Sequence, residues 1–467
     1  MAMAHPTSDV SIETRSAGLR KDLGVADLTL TQILFIVGLP WVGVAAKQGP
    51  AHVVLWLAAI VLFYLPSAAV VIHLNRAMPL EGGLYQWAKL GFNELTGFMV
   101  AWNLWLFAIL NTSEIGLQIT QYFHYVLGAR GEALAANNGV IALVNVVILT
   151  ALVIVTIRGL RIGKWVHTSG GLLMLTTFAM LLVLPWLNLA HGSLAAFHPL
   201  ATAVPVVSIL TLNIAAKMGF GALGGFEYVA IHAGECRDPT RAVTRSVWFA
   251  APIIGVMFIL GTSSVLALVP IDRIDLIAPI PQVLSVGFGA LGPAAWVAPA
   301  TILILLCIRV AQASVMFAGN TRLPMVAGWD GLLPPWFTRL HPRYQTPVNS
   351  IVFVGVVTLG FSLAGLVGVG KQEAFQLLWN ASAIFYALTY LVMFAIPIAG
   401  VPSPPWLKLA AAAGFLMTLA FVVLSILPIV QVESRLSFAL KISAVVVLTN
   451  ATGFAIYARR GSTTRSR

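Results

Sequence analysis

The sequence predicts an all-α polytopic membrane protein with about twelve transmembrane helices. Composition and segment length carry that prediction. The 467 residues are 59% hydrophobic and only 9% charged. A soluble domain carries ~45–50% apolar and ~25% charged residues, and 27 basic and 16 acidic side chains cannot cover the surface of a soluble chain this long. The apolar residues, about 275 of them, fall into runs near the ~20 residues that a helix needs to cross a bilayer. Soluble enzymes, nucleic-acid binders and secreted disulfide scaffolds are excluded at this step. Cys236 and Cys307 are the only cysteines, too few for a disulfide framework or a cysteine metal cluster.

Residues 1–26 have no apolar core and read as a polar cytoplasmic tail, not a signal peptide. Twelve apolar spans follow, at 27–47, 51–73, 95–127, 139–157, 164–187, 205–233, 246–270, 293–320, 348–370, 373–397, 405–428 and 437–458. Spans 3 and 6 are long, which predicts tilt or a broken helix. Residues 459–467 form a second polar tail. With the N-terminus inside, 19 of the 27 lysines and arginines fall on the inner side and 6 on the outer side, and Lys217 and Arg309 lie within spans. Retained basic loops face the cytoplasm, so both termini are expected there, in the cell (plasma or inner) membrane. The net charge of +11 then reports orientation, and no nucleic-acid partner is expected.

Spans 1–5 (27–187) and spans 6–10 (205–397) share a layout: a glycine-interrupted helix, a second span, a long third span and two more. Five is odd, so the two units would sit in opposite orientations, with 405–458 outside the repeat. Inverted repeats with paired broken helices are a transporter signature. Span 1 carries Gly38-Leu39-Pro40-Trp41-Val42-Gly43, and span 6 carries Gly219-Phe220-Gly221-Ala222-Leu223-Gly224-Gly225. Proline lacks an N–H and clashes with the preceding turn. Irregular backbone at membrane depth is tolerated where it is buried in protein or lines a cavity. Free N–H groups at a half-helix start suit a carboxylate, and free carbonyls suit an ammonium group, so a zwitterion fits both. Close packing of helices by small residues is the other reading. Two breaks in matching positions favour a substrate site at Gly38, Leu39, Pro40, Trp41, Gly43, Phe220, Gly221, Ala222, Leu223 and Gly224.

Three stretches resemble the amino acid–polyamine–organocation transporters. Residues 49–92 resemble their second span and following loop through Pro79, Gly82, Gly83, Tyr85 and Trp87. Residues 219–243 resemble their sixth span and its exit through Gly225, Phe226, Glu227, Glu235, Pro239 and Arg241. Residues 320–348 resemble their loop after span 8 through Arg322, Asp330-Gly331, Pro334, His341 and Thr346-Pro347. The resemblance implies a five-plus-five inverted repeat of the LeuT type, with spans 11 and 12 peripheral, and alternating-access transport of amino acids or related amines. Many members place a bulky aromatic where Gly221 stands. The glycine implies a larger substrate, or a closing aromatic supplied by Trp41 or Phe220. Some members carry a lysine in the middle of span 5. Here that stretch reads Gly170-Gly171-Leu172-Leu173, which weighs against lysine-based proton coupling and towards exchange. Lys164 reads as an interface anchor.

Four ionisable residues fall within spans: Glu114, Lys217, Glu227 and Arg309. A charge at mid-span costs ~2.5–3.5 kcal/mol even on the lenient insertion scale, so each should face a cavity or a partner. Glu114 in span 3 and Arg309 in span 8 are expected near the cavity, as substrate or proton groups or as a static ion pair. Lys217 either draws an anionic group into the outer vestibule or snorkels to the outer interface. By the resemblance Glu227 takes part in gating or protonation, and the alternative is a cap on loosened backbone. Glu235, Asp238, Arg241 and Arg245, with Arg15 and Arg20, could form an inner gate of ion pairs, but the expectation is a solvated loop. Tyr64, Trp102, Trp105, Trp379 and Tyr386 are given no site role, since single aromatics in spans more often face lipid.

The function expected is secondary transport of an amino acid or amino-acid derivative, coupled to protons or by exchange, as a monomer or homodimer. A polyamine or organic-amine carrier or antiporter is the alternative, and a channel or membrane sensor stands behind it. The chain has neither a His-Glu-x-x-His pair nor a phosphate loop. No catalytic residue, metal or cofactor is therefore expected.

Overall fold

The computed structural model describes residues 19, 21–276, 278–292, 296–366, 371–427 and 434–464. Arg15 and Arg20 of the expected inner gate lie outside the described residues. Among those described, nine helices are long and apolar enough to cross a membrane, and three shorter apolar helices, Val25–Ile36, Ile209–Gly221 and Val348–Ala364, complete twelve. Two of the three short ones are the first halves of spans 1 and 6, so the shortfall comes from the breaks themselves. No strand is present among the described residues.

Span 1 runs Val25–Ile36, breaks, and resumes as Trp41–Ala46 with Pro40 at its N-cap. A proline there gives up only an N–H that the helix start could not pair. Span 6 starts at the Ser208 cap, runs Ile209–Ala216, widens into a π-turn over Lys217–Gly221 and loses helical order before Tyr228–Glu235. Span 3 is also interrupted, between Glu94–Ser113 and Ile115–Leu127, with Glu114 at the joint. Its expected irregularity is therefore a kink.

The long spans pack in pairs. Span 3 lies along span 10 (Lys371–Ala395) as span 8 (Val297–Trp329) lies along span 5 (Leu160–His191). Span 1 lies along span 7 (Pro239–Leu268), and span 6 packs on span 2 (residues 49–77). Leu57, Val61, Leu143, Trp248 and Leu409 are exposed. Outward apolar side chains of this kind are what a bilayer covers.

On the face that carries residues 21–24, which we term the tail side, the chain seals the end of span 6. Leu23 N–H donates to Glu235 O at 3.2 Å, Leu23 bridges to Cys236, and Lys21 Nζ donates to Gly234 O. Lys164 is half-buried and pairs with Asp27 at 3.0 Å, so it ties span 5 to span 1. On the opposite face Lys47 Nζ reaches Ile271 O at 2.6 Å, and Tyr125 Oη donates to Asp275 at 2.5 Å.

Gly83 joins span 2 to this framework. Its φ is +47° and its ψ −116°, and a Cβ there would lie 2.8 Å from the Ala230 carbonyl carbon. Gly128 has a similar backbone, φ 58° and ψ −135°, but open space where its Cβ would be. Gly128→Ala should cost only backbone strain, ~1–2 kcal/mol. Gly83→Ala should lose more, because span 6 backbone must also move. Thermal unfolding of the two purified variants checks this, and equal losses would show that the close approach does not matter.

Candidate substrate site

A cavity of about 100 Å³ lies between the two breaks, walled by spans 1, 3, 6, 8 and 10. Span 8 holds the first break open. Gln312 Nε2 donates to Leu34 O at 2.9 Å and to Val37 O at 3.0 Å, taking carbonyls that the interrupted helix leaves without N–H partners. Gln312 Oε1 accepts from Arg309 Nη1 at 2.6 Å. One amide thus joins the end of the half-helix to a guanidinium that faces the cavity.

The second break is held by span 10. Gly225 N–H donates to Tyr390 Oη at 2.6 Å. Tyr390 and Tyr386 in turn donate their hydroxyls to the two carboxylate oxygens of Glu227. Glu227 is 1% exposed, so it is held by hydroxyl donors where water cannot reach it. Tyr386 links this group to the cavity, which it lines, and stacks on Phe107 at 4.1 Å. Phe35 and Tyr228 form a second stack at 4.2 Å, and Tyr228 Oη donates to Met316 O at 2.6 Å. Gly225, at φ +141°, lets span 1 pass this close. A Cβ would meet Ile36 at 2.6 Å and Phe35 at 2.7 Å.

The indole of Trp41 sits between two glycines. A Cβ on Gly38 would lie 2.5 Å from Trp41 Cδ1, and one on Gly221 would lie 2.7 Å from Trp41 Cη2. The room left by Gly221 is therefore filled from span 1, the second of the two expected outcomes. Trp379 stands opposite, its ring centre 6.4 Å from that of Trp41.

Of the sequence-chosen residues, Gly38, Trp41, Phe220, Gly221, Gly224 and Arg309 line the cavity. Leu39, Ala222 and Leu223 are buried beside the breaks, and Pro40 caps the second half of span 1. Gly43 faces the connection opposite the tail side, where a Cβ would lie 2.7 Å from Pro279. Glu114 sits at the span 3 kink, 5% exposed and without a hydrogen-bond partner, while its neighbours Asn111 and Ile115 reach the cavity. Among the described residues no ion pair joins Glu114 to Arg309. Lys217 is 4% exposed, so it neither lines a vestibule nor snorkels. Its Nζ lies 3.4 Å from Asn380 Oδ1 and 5.8 Å from the Phe421 ring centre, pointed by its helical face at spans 10 and 11.

The solvated-loop expectation fails for Glu235, which is 2% exposed and bonded to Arg322 Nε at 2.8 Å. Its partner comes from span 8, 87 residues on, which local charge counting could not supply. Asp238 caps span 7 through Arg241 N–H at 3.0 Å. Trp379 and Tyr386, given no site role, line the cavity, and Gln312 and Tyr390 were missed as its supports. An aromatic spacing of 379, 386 and 390 along one helix face was the available signal.

A multi-pass helical protein with two broken helices facing one central cavity is built as a membrane transporter. The chain belongs to the amino acid permease family, which it matches over residues 23–449, within the amino acid–polyamine–organocation superfamily that the three motifs resemble. It is 24% identical to the branched-chain amino acid permease BcaP of Bacillus subtilis, over 86% of this chain and 89% of the relative. It is 22% identical to the methylthioribose transporter of the same organism, over 80% and 83%. It is 19% identical to the probable agmatine/putrescine antiporter AguD of Lactococcus lactis, over 75% and 73%.

Gln312→Leu should strand two buried carbonyls and the Arg309 guanidinium. Each unpaired group costs ~1–3 kcal/mol, so the melting temperature of the purified protein should fall by several degrees. A Gln312→Leu protein as stable as wild type would mean that the break is held by other groups.

Proposed function

We propose that this protein is a secondary transporter of the cell membrane, with both termini cytoplasmic, that carries an amino acid or amino-acid derivative by alternating access. Residues 27–187 and 205–397 are its two inverted halves. The observation that carries the substrate class is that, among the described residues, Arg309 is the only charged side chain lining the cavity. A fixed guanidinium there binds a carboxylate bidentately and repels a polycation. Trp41 and Trp379 offer the ring faces that a substrate ammonium prefers. The cavity is well below the ~300–1,000 Å³ of pockets for drug-sized ligands, which suits a small metabolite. This weighs against a polyamine, although one relative's name carries agmatine and putrescine.

In this reading Trp41 covers the substrate from the outer half. Glu227 ties closure of the tail side to the cavity through Tyr386, and Glu114 serves as a proton or substrate group that acts when span 3 moves. Coupling by exchange or by protons is decided by transport itself.

The test is ligand stabilisation of the purified protein by amino acids, decarboxylated amines and polyamines at two pH values, followed by uptake in proteoliposomes. Stabilisation by zwitterions is expected, and stabilisation by polyamines alone would overturn the assignment. Arg309→Met should weaken binding by ~2 kcal/mol, about 30-fold. Glu114→Gln should alter the pH dependence of uptake. Uptake and pH dependence like those of wild type in both variants would remove these residues from the mechanism.

A further inference from the structure

The three sequence motifs meet away from the cavity, on the tail side. Lys89 pairs with Asp330 at 2.6 Å, Tyr85 donates to the same carboxylate, and Gly82 N–H donates to Ile231 O at 3.0 Å. They also bring together two acids that the transport reading leaves unused. Glu81, in the connection before span 3, is 1% exposed, and Glu235, at the end of span 6, is 2% exposed.

The local hydrogen bonding is incomplete. Gly234 N–H donates to Glu81 Oε2 at 2.7 Å, which leaves Glu81 Oε1 without a partner. Arg322 Nε donates to Glu235 Oε1 at 2.8 Å, which leaves Glu235 Oε2 without one. His232, also buried, stands with Nδ1 3.7 Å from Glu235 Oε1, beyond hydrogen-bond length. One oxygen of each carboxylate and a ring nitrogen of His232 lie within 4.8 Å of one another. Unpaired buried acceptors are costly, and two carboxylates this close do not both ionise readily. A single proton removes both difficulties, because it cancels one charge and supplies the missing donor.

We infer that Glu81 and Glu235 hold one proton between them, in a buried proton-binding site that locks the tail-side seal. Glu81 carries the proton and donates it to the free oxygen of Glu235. The partners set this order. Glu235 has the Arg322 guanidinium, whereas Glu81 has only a backbone N–H.

The other charged groups around the pair are Lys21 on the tail, His232 and Cys236 on span 6, Arg322 on span 8, and Asp27 and His167 further out. Burial, and next the neighbouring Glu235, push the Glu81 carboxyl well above its usual range, and Arg322 opposes them. Burial also acts upward on Glu235, but Arg322 and His232 outweigh it and hold its carboxyl down to about 2. A raised folded value stabilises the sealed form below the ordinary carboxyl range, and that stability is lost as pH rises through the raised value. A depressed value is lost only as pH falls through it, so the Glu235–Arg322 pair persists while Glu81 titrates. Ionised Glu81 would repel Glu235 and draw water between the two carboxylates, parting them against the pull of the Gly234 N–H on Glu81 and loosening the segment on which Lys21 and Leu23 rest. The proton comes from the water on the tail side and returns to it. The site therefore senses the pH of one compartment, the cytoplasm on the topology proposed above, and carries no proton across.

Cys236, 1% exposed beside the pair, reports opening. In full-length Cys307→Ser protein, the rate of maleimide labelling of Cys236 is measured with and without Glu81→Gln. Glutamine keeps a donor towards Glu235, so it mimics protonated Glu81, and the wild-type rate is divided by the variant rate at each pH. Burial, and next the charge on Glu81, push the Cys236 thiol up, so ionised Glu81 slows wild-type labelling and a rise in this ratio reports opening. The ratio should be near 1 at about pH 5 and rise about tenfold by about pH 9. A flat ratio overturns the proposal. So does a rise that appears only after a chelator is added, because the pair would then hold a divalent cation. An infrared titration of the wild type gives a second reading. A protonated-carboxyl band should bleach over the pH interval in which labelling rises, and its absence overturns the proposal even if Glu81→Gln does not fold. Neither measurement reads transport, so failure of the substrate assignment leaves this site standing.

Discussion

Every peptide group freed by an interrupted helix must find a partner inside the protein, because the bilayer interior supplies none. Spans 1 and 6 are both interrupted, and the rest of the structure answers that demand. Gln312 takes the carbonyls of the first break. Tyr390 accepts the Gly225 N–H of the second and donates its own hydroxyl to Glu227. Both supports come from long spans packed on another long span, span 8 on span 5 and span 10 on span 3.

The glycines that loosen these helices also shape the space between them. Gly38 and Gly221 lie on opposite sides of the Trp41 ring, and neither position tolerates a Cβ in this arrangement. The aromatic ring beside Gly221 therefore comes from span 1. Arg309 lines the same cavity and bonds Gln312, so this charged wall residue rests on the group that stabilises the break.

Although Phe220, Gly221 and Gly224, just before Gly225, line the cavity, the residues that carry the family resemblance do not. They form a knot on the tail side, where Asp330 gathers Tyr85, Gln86 and Lys89 and Arg322 meets Glu235. Residues 79–87, 225–241 and 320–347 are three distant pieces of backbone that close on one another there.

Composition, segment length and the two glycine-rich runs determined the membrane class, the twelve spans and the location of the breaks, because each depends on local chemistry and on the thickness of the bilayer. The kink at Glu114, the burial of Lys217 and the pairing of Glu235 with Arg322 were decided by tertiary structure. So was the recruitment of Trp379 and Tyr386, two aromatics indistinguishable in sequence from lipid-facing ones. A mid-span charge announces that it needs a partner, but the rotation of its helix and the neighbour that packs there decide which partner it gets. Glu81 shows the same limit most plainly: in sequence it is one acid in a polar loop, and only the approach of span 6, 153 residues away, makes it a buried member of a pair.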